Sequence, residues 1–412
     1  MALINEDYLK LPDNYLFSEI TRKINVFKAI RPKAKVIHLD AGDTTSILKG
    51  EVIDTLHKAI DELADTGGVK NFNSEEHRKA LITSILKSDY EPRGVKLTQE
   101  EIFLNDSSKD AAEDFSEILS TDNIIGILDP TYPTYIYSNV RNGRAGEKME
   151  DGRWSNLIYI PCNMENKFVP QIPKEKLDVI YLNLPNNPTG ITLNATELKK
   201  WVKYAIDNQA LIIFDAANAH YIKEKDVPHS IYEIKGAKKV AIEIRSLSKT
   251  TGYTGTNFSF TIVPNEVMAY TLMGESVSIE KMWQRRHTSK YSGMPYTSIL
   301  SAEAAYSPKG IKERQVLTDY YMENAHFIRE TLIQLGYQVW GGVNSPYLWM
   351  KTPKGITSWK FFEEMLYEHN IVCTPGVGFC PGGEGYVRFT SFANREDMEE
   401  AMARLRSKTN QV

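Results

Sequence analysis

The chain of 412 residues is poor in cysteine, with Cys162, Cys373 and Cys380 alone. An odd number at wide spacings argues against a disulfide framework and against the close pairs of a zinc site. Three buried thiols in a reducing compartment are expected, and no metal. An excess of one charge is also missing. Lys and Arg number 49 against 53 Asp and Glu, a net of -4. That balance excludes a strongly basic nucleic-acid binder and offers nothing to draw the chain to a membrane surface. Apolar runs such as 210–214 fall far short of the roughly 20 residues that cross a bilayer. Residues 1–10 are charged and lack the apolar centre of a signal peptide. Neither a repeat nor a low-complexity tract is visible. The expected setting is the cytoplasm, with no nucleic acid and no membrane as partner.

What is present is the composition of a folded protein: 42% hydrophobic and 25% charged residues. A chain this long buries a large core without staples, as one large domain or two to three smaller ones. Short β-branched runs at 36–39, 101–104, 124–128, 179–184, 211–215, 240–244 and 258–263 predict strands. Helical patterns lie between several of them. One starts at Ala195, where Asn194 and Glu197 have the spacing of a capping box, and Leu198, Trp201, Val202 and Ala205 share a face. Such alternation predicts an α/β fold with a mostly parallel sheet between helices. The C-terminal part reads as a smaller α+β layer: a helix over 316–335 stopped by Gly336, strands at 337–340, 347–351 and 387–392, and helices at 359–369 and after Asn394. The expected division is an N-terminal arm at 1–44 joining the small domain, a large domain at 45–295, and a small domain at 296–412.

Five segments carry candidate chemistry, each at the C-terminal end of a predicted strand. Leu184-Pro185-Asn186-Asn187-Pro188-Thr189-Gly190 is a stiff turn where ligands sit in open α/β sheets. Asp215 closes an apolar strand and could face a cationic ligand atom; a helix cap is the plain alternative. Arg245-Ser246-Leu247-Ser248-Lys249 places an amine among hydroxyls beyond a buried strand. A partly desolvated amine there can react with an aldehyde. Asn105-Asp106-Ser107-Ser108-Lys109 opens a helix, a ready phosphate seat. Tyr132 offers a flat ring on a loop, or a core aromatic. Together an amine, a carboxylate, an Asn turn, a helix start and a ring suit pyridoxal 5′-phosphate.

Beyond these segments the sequence resembles the LL-diaminopimelate aminotransferase family of fold-type I pyridoxal-phosphate enzymes along nearly its whole length. The likeness rests on Asn14-Tyr15-Leu16-Phe17, Ala41-Gly42-Asp43-Thr44, Asp129-Pro130, Pro185 to Gly190, Pro228-His229-Ser230-Ile231-Tyr232-Glu233-Ile234, Ser246 to Lys249, Gly341-Gly342-Val343-Asn344 and Gly383-Glu384-Gly385. It implies that Lys249 joins the cofactor aldehyde and moves the proton. Asp215 would pair with the ring nitrogen, Asn187 would bond the ring oxygen, and Tyr132 would stack on the ring. Ser108, Lys109, Ser246 and Ser248 would hold the phosphate. Arg388 would clamp the substrate α-carboxylate, and Tyr15, Gly42, Lys109, Tyr132 and Asn187 would line the substrate pocket. A homodimer with shared sites, taking amino acids and 2-oxo acids, is implied as well.

Four positions depart from the family. Phe72 stands for a tyrosine that reaches the neighbouring subunit's phosphate. Asn218 stands for a tyrosine that bonds the ring oxygen, Asn257 for an arginine opposite the phosphate, and Ser292 for an asparagine that reaches across the dimer. Each removes a polar partner. Three functions are therefore open: an aminotransferase of the diaminopimelate type, a pyridoxal-phosphate oxidase, lyase or racemase on the same scaffold, and a dimer without catalysis.

Overall fold

The computed structural model describes residues 1–12, 16–42, 44, 50–64, 75–252, 257–290 and 293–409. Its largest sheet has seven strands, in the spatial order Ile102–Asn105, Ser259–Ile262, Ala241–Ser246, Leu211–Asp215, Val179–Asn183, Ile125–Asp129 and Leu157–Pro161. The last five run parallel in register. Ser259–Ile262 lies antiparallel to both its neighbours. The α/β fold expected from the sequence is the fold observed.

The sheet is covered on both faces, which is why its strands are continuous apolar runs. All five residues of Ile125–Asp129, Val179–Asn183 and Leu211–Asp215 are buried. Successive side chains go to opposite cores. Ile180, Leu182, Ile212 and Phe214 join one apolar cluster, and Val179, Tyr181, Leu211 and Ile213 join the other. Parallel register then aligns the strand ends. Asp215 pairs with Asn183 and Ile244, and Ser246 with Ser259, which pairs with Asn105. The polar residues that end these strands so gather on one edge.

The helix Ala195–Asn208 begins as the sequence predicts, with the Asn194 and Glu197 side chains capping each other's backbone. The edge strand Leu157–Pro161 is not among the predicted strands. It lies at the edge of the sheet, with Ile158 and Tyr159 half-buried and Pro161 exposed. The long helix Pro308–Gln334 starts eight residues before the predicted position. Pro308 reads as a breaker, yet proline fits the first turn, and Ser307 caps the Gly310 N–H.

A second sheet of four antiparallel strands contains Val339–Gly341, Tyr347–Lys351, Tyr386–Thr390 and Thr374–Pro375. The predicted strand at 36–39 is reduced to Ile37–His38, paired in parallel with Ile371–Val372. All three cysteines are buried and free of disulfides. Among the described residues no helix is long and apolar enough to cross a membrane.

Candidate active site

Where the polar strand ends meet, the two sheets enclose a cavity of about 410 Å³, within the usual size for a small-molecule site. Gly42, Ser108, Lys109, Tyr132, Asn187, Asp215, Ser246, Ser248, Lys249 and Arg388 all line it, as do Asn218 and Asn257. The sequence names these residues from segments up to several hundred positions apart. Tyr15, Phe72 and Ser292 lie outside the described residues.

Lys249 sits in a tight turn after the strand Ala241–Ser246, where the Thr250 N–H donates to the Leu247 carbonyl. Its Nζ lies 2.7 Å from the Tyr347 hydroxyl. The sequence suggests serine hydroxyls beside this amine. Ser246 and Ser248 do line the cavity, but the Ser246 hydroxyl accepts from the Ser248 N–H, and the hydroxyl bonded to the amine is that of Tyr347.

Asp215 is held on three sides. The Tyr135 hydroxyl donates to Oδ2, the Ala217 N–H donates to Oδ1 at 2.9 Å, and Asn183 Nδ2 donates to its backbone carbonyl. Burial pushes the Asp215 carboxyl up; the Tyr135 bond, the Ala217 bond and the Lys249 charge oppose this without cancelling it. A cation brought against Asp215 would favour its charged form.

Arg388 lies on the strand Tyr386–Thr390 and is 1% exposed. Nη1 donates to Asn187 Oδ1 at 2.7 Å, and Nη2 donates to the Asp40 carbonyl and Thr374 Oγ1. These acceptors are uncharged, and the guanidinium carbon sits 4.9 Å and 5.2 Å from the ring centres of Phe379 and Tyr347. A planar guanidinium fixed on a strand at the cavity wall suits a carboxylate ligand.

At the opposite end the helix Ser108–Phe115 opens on the cavity, with Ser107 as its cap. Its first N–H groups and the hydroxyls of Ser108, Ser246 and Ser248 make a donor set for an anion. Asn257 shares this wall with a backbone φ of 29°, which asparagine tolerates better than most residues. Asn218 is buried on the wall, and its Oδ1 has no hydrogen-bond partner.

Phe17, Asn183, Thr134 and Tyr135 also line the cavity, and the sequence reading does not name them as site residues. Tyr135 stands three residues after Tyr132, a spacing that could have drawn attention to it. Tyr347 gives no such signal, because it comes from the second sheet.

Residues 34–405 match the family Aminotransferase class I and II. The chain belongs to that family. It is 52% identical to the LL-diaminopimelate aminotransferase of Phocaeicola vulgatus over 98% of this chain and 99% of the relative. To the enzyme of the same name from Bacteroides fragilis it is 50% identical over 99% of this chain and all of the relative. Among solved structures, L,L-diaminopimelate aminotransferase from Chlamydomonas reinhardtii superposes with a TM-score of 0.90 at 34% identity, covering 99% of this chain and 98% of that one. Aspartate aminotransferase from Thermotoga maritima, at 19% identity and a TM-score of 0.81 over 99% of this chain and all of that one, shares the fold.

Members of this family depend on pyridoxal 5′-phosphate. The cavity fits that group by its donor set: an amine for the aldehyde, a carboxylate for the ring nitrogen, and a helix start with hydroxyls for the phosphate. The unsatisfied Asn218 oxygen is one polar group on the wall that a bound polar ligand could satisfy.

Proposed function

We propose that this chain is an LL-diaminopimelate aminotransferase, moving an amino group from LL-diaminopimelate to a 2-oxo acid such as 2-oxoglutarate. The observation that carries the reading is the convergence of Lys249, Asp215 and Arg388 on one cavity. The near-full-length identity to relatives of that name supports the substrate.

Pyridoxal phosphate, when bound, supplies the electron sink for negative charge that develops at the substrate Cα. The chain does the rest. Arg388 binds the α-carboxylate in its planar fork, and Asn187 keeps the fork in place. Lys249 Nζ takes the proton that leaves the substrate Cα. Asp215 sets a carboxylate against the ring nitrogen. Ser108, Lys109, Ser246 and Ser248 hold the phosphate, and Tyr132 covers the ring. Gly42 leaves room for the substrate, since a Cβ there would meet nothing within 4 Å. Tyr15 completes the substrate pocket in this reading. Nitrogen is conserved: the donor leaves as an oxo acid, and 2-oxoglutarate leaves as glutamate.

The same reading makes the protein a cytoplasmic homodimer. Its support is the hairpin of Met268–Tyr270 and Ser276–Ser278, at whose tip Leu272 and Met273 are exposed. Exposed apolar side chains grouped in this way mark association surfaces. It also divides the chain at about residues 45 and 296, a division that the pairing of Ile37–His38 with Ile371–Val372 supports.

The test is to incubate the purified protein with pyridoxal phosphate, LL-diaminopimelate and 2-oxoglutarate, and to measure glutamate. Glutamate is expected to form in step with loss of the donor. Glutamate from a different amino acid, with none from LL-diaminopimelate, would refute the substrate. An unlabelled Lys249 after borohydride treatment at saturating cofactor would refute the class of chemistry.

A further inference from the structure

The amine of Lys249 meets a phenol that belongs to the other sheet. Tyr347 Oη lies 2.7 Å from Lys249 Nζ, and the Tyr347 ring centre is 5.5 Å from that nitrogen. The ring also lies 5.2 Å from the guanidinium carbon of Arg388, so one side chain contacts both cations. Its position is fixed. Tyr347 is fully buried, pairs with Thr390 in the sheet, and meets Phe392 edge-on at 6.1 Å. The turn bearing Asn187 packs directly on its backbone: a Cβ on Gly190 would lie 2.4 Å from the Tyr347 carbonyl oxygen.

We propose that Tyr347 is the positioning residue of Lys249, supplying a hydroxyl to its amine from the second sheet. The proposal rests on the reading of Lys249 as the reactive amine. A phenol serves both forms of that amine. The ammonium donates to the phenolic oxygen, and the neutral amine accepts from the phenolic O–H. The first bond is charge-assisted and is roughly twice as strong as the second. Removing the hydroxyl therefore disfavours the ammonium, and the reactive neutral amine appears at lower pH. Among the described residues, the other titratable or charged groups at the cavity include Asp215, Lys109, Arg388, Tyr132, Tyr135 and Tyr221. Asp215 favours the ammonium and the cations oppose it. Tyr347→Phe leaves all six in place and keeps the ring beneath Arg388.

The experiment measures reductive methylation of Lys249 by formaldehyde and cyanoborohydride against pH in the cofactor-free protein, read by peptide mass mapping. Tyr347→Phe is expected to move the midpoint of the profile down by about one pH unit. Superimposed profiles for the parent and Tyr347→Phe would overturn the proposal. A second measurement needs no variant. In protein labelled with ¹³C at tyrosine Cζ, the Tyr347 resonance should shift at the midpoint found for Lys249, and a resonance constant through that midpoint would also overturn it. Neither readout needs transamination, so a parent whose Lys249 is never labelled by pyridoxal phosphate and borohydride would refute the proposed function while the methylation profile still judged Tyr347.

Discussion

The amide oxygen of Asn187 accepts a 2.7 Å hydrogen bond from Nη1 of Arg388, joining the turn at the edge of the large sheet to a strand of the small one. The bond fixes which end of the amide is which. With the oxygen committed to the guanidinium, the NH2 is the group Asn187 has left to offer a cofactor oxygen. In the proposed function one residue thus orients the carboxylate clamp and contributes to the cofactor seat.

Asn187→Asp disturbs both tasks at once. It places a carboxylate against Arg388 and removes the amide donor. A substrate carboxylate must then compete with an internal one for the same fork. Loss of a bond to a charged group is worth about 1.5–3 kcal/mol, so KM for the amino acid is expected to rise about 10- to 100-fold. Steady-state kinetics, with a thermal melt to show an intact fold, checks this. An unchanged KM would mean that Arg388 does not receive the substrate.

Tyr135 governs when Asp215 is charged. Burial raises this carboxyl and the Tyr135 bond lowers it, so Tyr135→Phe raises it further. A cationic ring nitrogen is held by the carboxylate form, which is present above the Asp215 pKa and lost as pH falls through it. The parent should therefore bind pyridoxal phosphate less well as the solution is acidified, and Tyr135→Phe should begin that loss at higher pH. Cofactor titrations from pH 5 to 8 test the order of the two curves. Coincident curves would show that the phenol does not act on Asp215.

Much of this site was legible because it is built from strand ends. Asn187, Asp215 and Lys249 each follow a run of buried apolar residues, and parallel register carries such ends to one edge. The helix start at Ser108 was legible as an anion seat in the same way, whereas Arg388 and the phosphate roles of Ser246 and Ser248 were named through family resemblance, and all of them line the same cavity. Tyr135 and Tyr347 were not legible. An aromatic between apolar neighbours reads as core, and both are indeed buried. What sets them apart is the partner of one hydroxyl, Asp215 for Tyr135 and Lys249 for Tyr347. Packing between distant segments decides such a partner, and no local pattern records it. The start of the helix at Pro308 was missed for a local reason, since proline is a breaker inside a helix and acceptable in its first turn.

Asn257 tests the weakened phosphate seat. It is exposed on the cavity wall, at a position where the sequence resemblance implies an arginine. Asn257→Arg adds a guanidinium near a dianion. One charge-assisted bond corresponds to roughly 10-fold or more in affinity. A dissociation constant for pyridoxal phosphate that falls by about that factor is the expected result, with high salt reducing the gain. Equal affinity in the two proteins would show that another cation already serves the phosphate, and Lys109 would be the first to replace.

The last prediction concerns the wall behind the site. His220, two residues beyond Asn218, faces Asp89 at 3.6 Å, and Arg245 reaches the same carboxylate at 3.8 Å. Neither ring nitrogen of His220 has a hydrogen-bond partner. Burial lowers its pKa to about 4, against an ordinary 6.5; Asp89 resists the change, and the charges of Arg245 and Arg314 add to it. The folded protein thus keeps this imidazole neutral where the unfolded chain protonates it. Stability from this source is complete above pH 6.5 and is lost as pH falls from 6.5 toward 4. Below that, both states carry the proton and the loss stops. A shift of this size corresponds to about 3 kcal/mol at most. Urea midpoints of the cofactor-free protein should therefore drop between pH 7 and 4, and they should drop less in His220→Asn, which has no proton to gain. His229 is half-buried and also lowered, to about 3, and it remains in both proteins, so the difference between the two curves isolates His220. Parallel curves would show that the His220 pKa is the same in the folded and unfolded states and would refute the prediction, and a parent that drops less than His220→Asn would show that the folded imidazole is protonated at neutral pH and paired with Asp89.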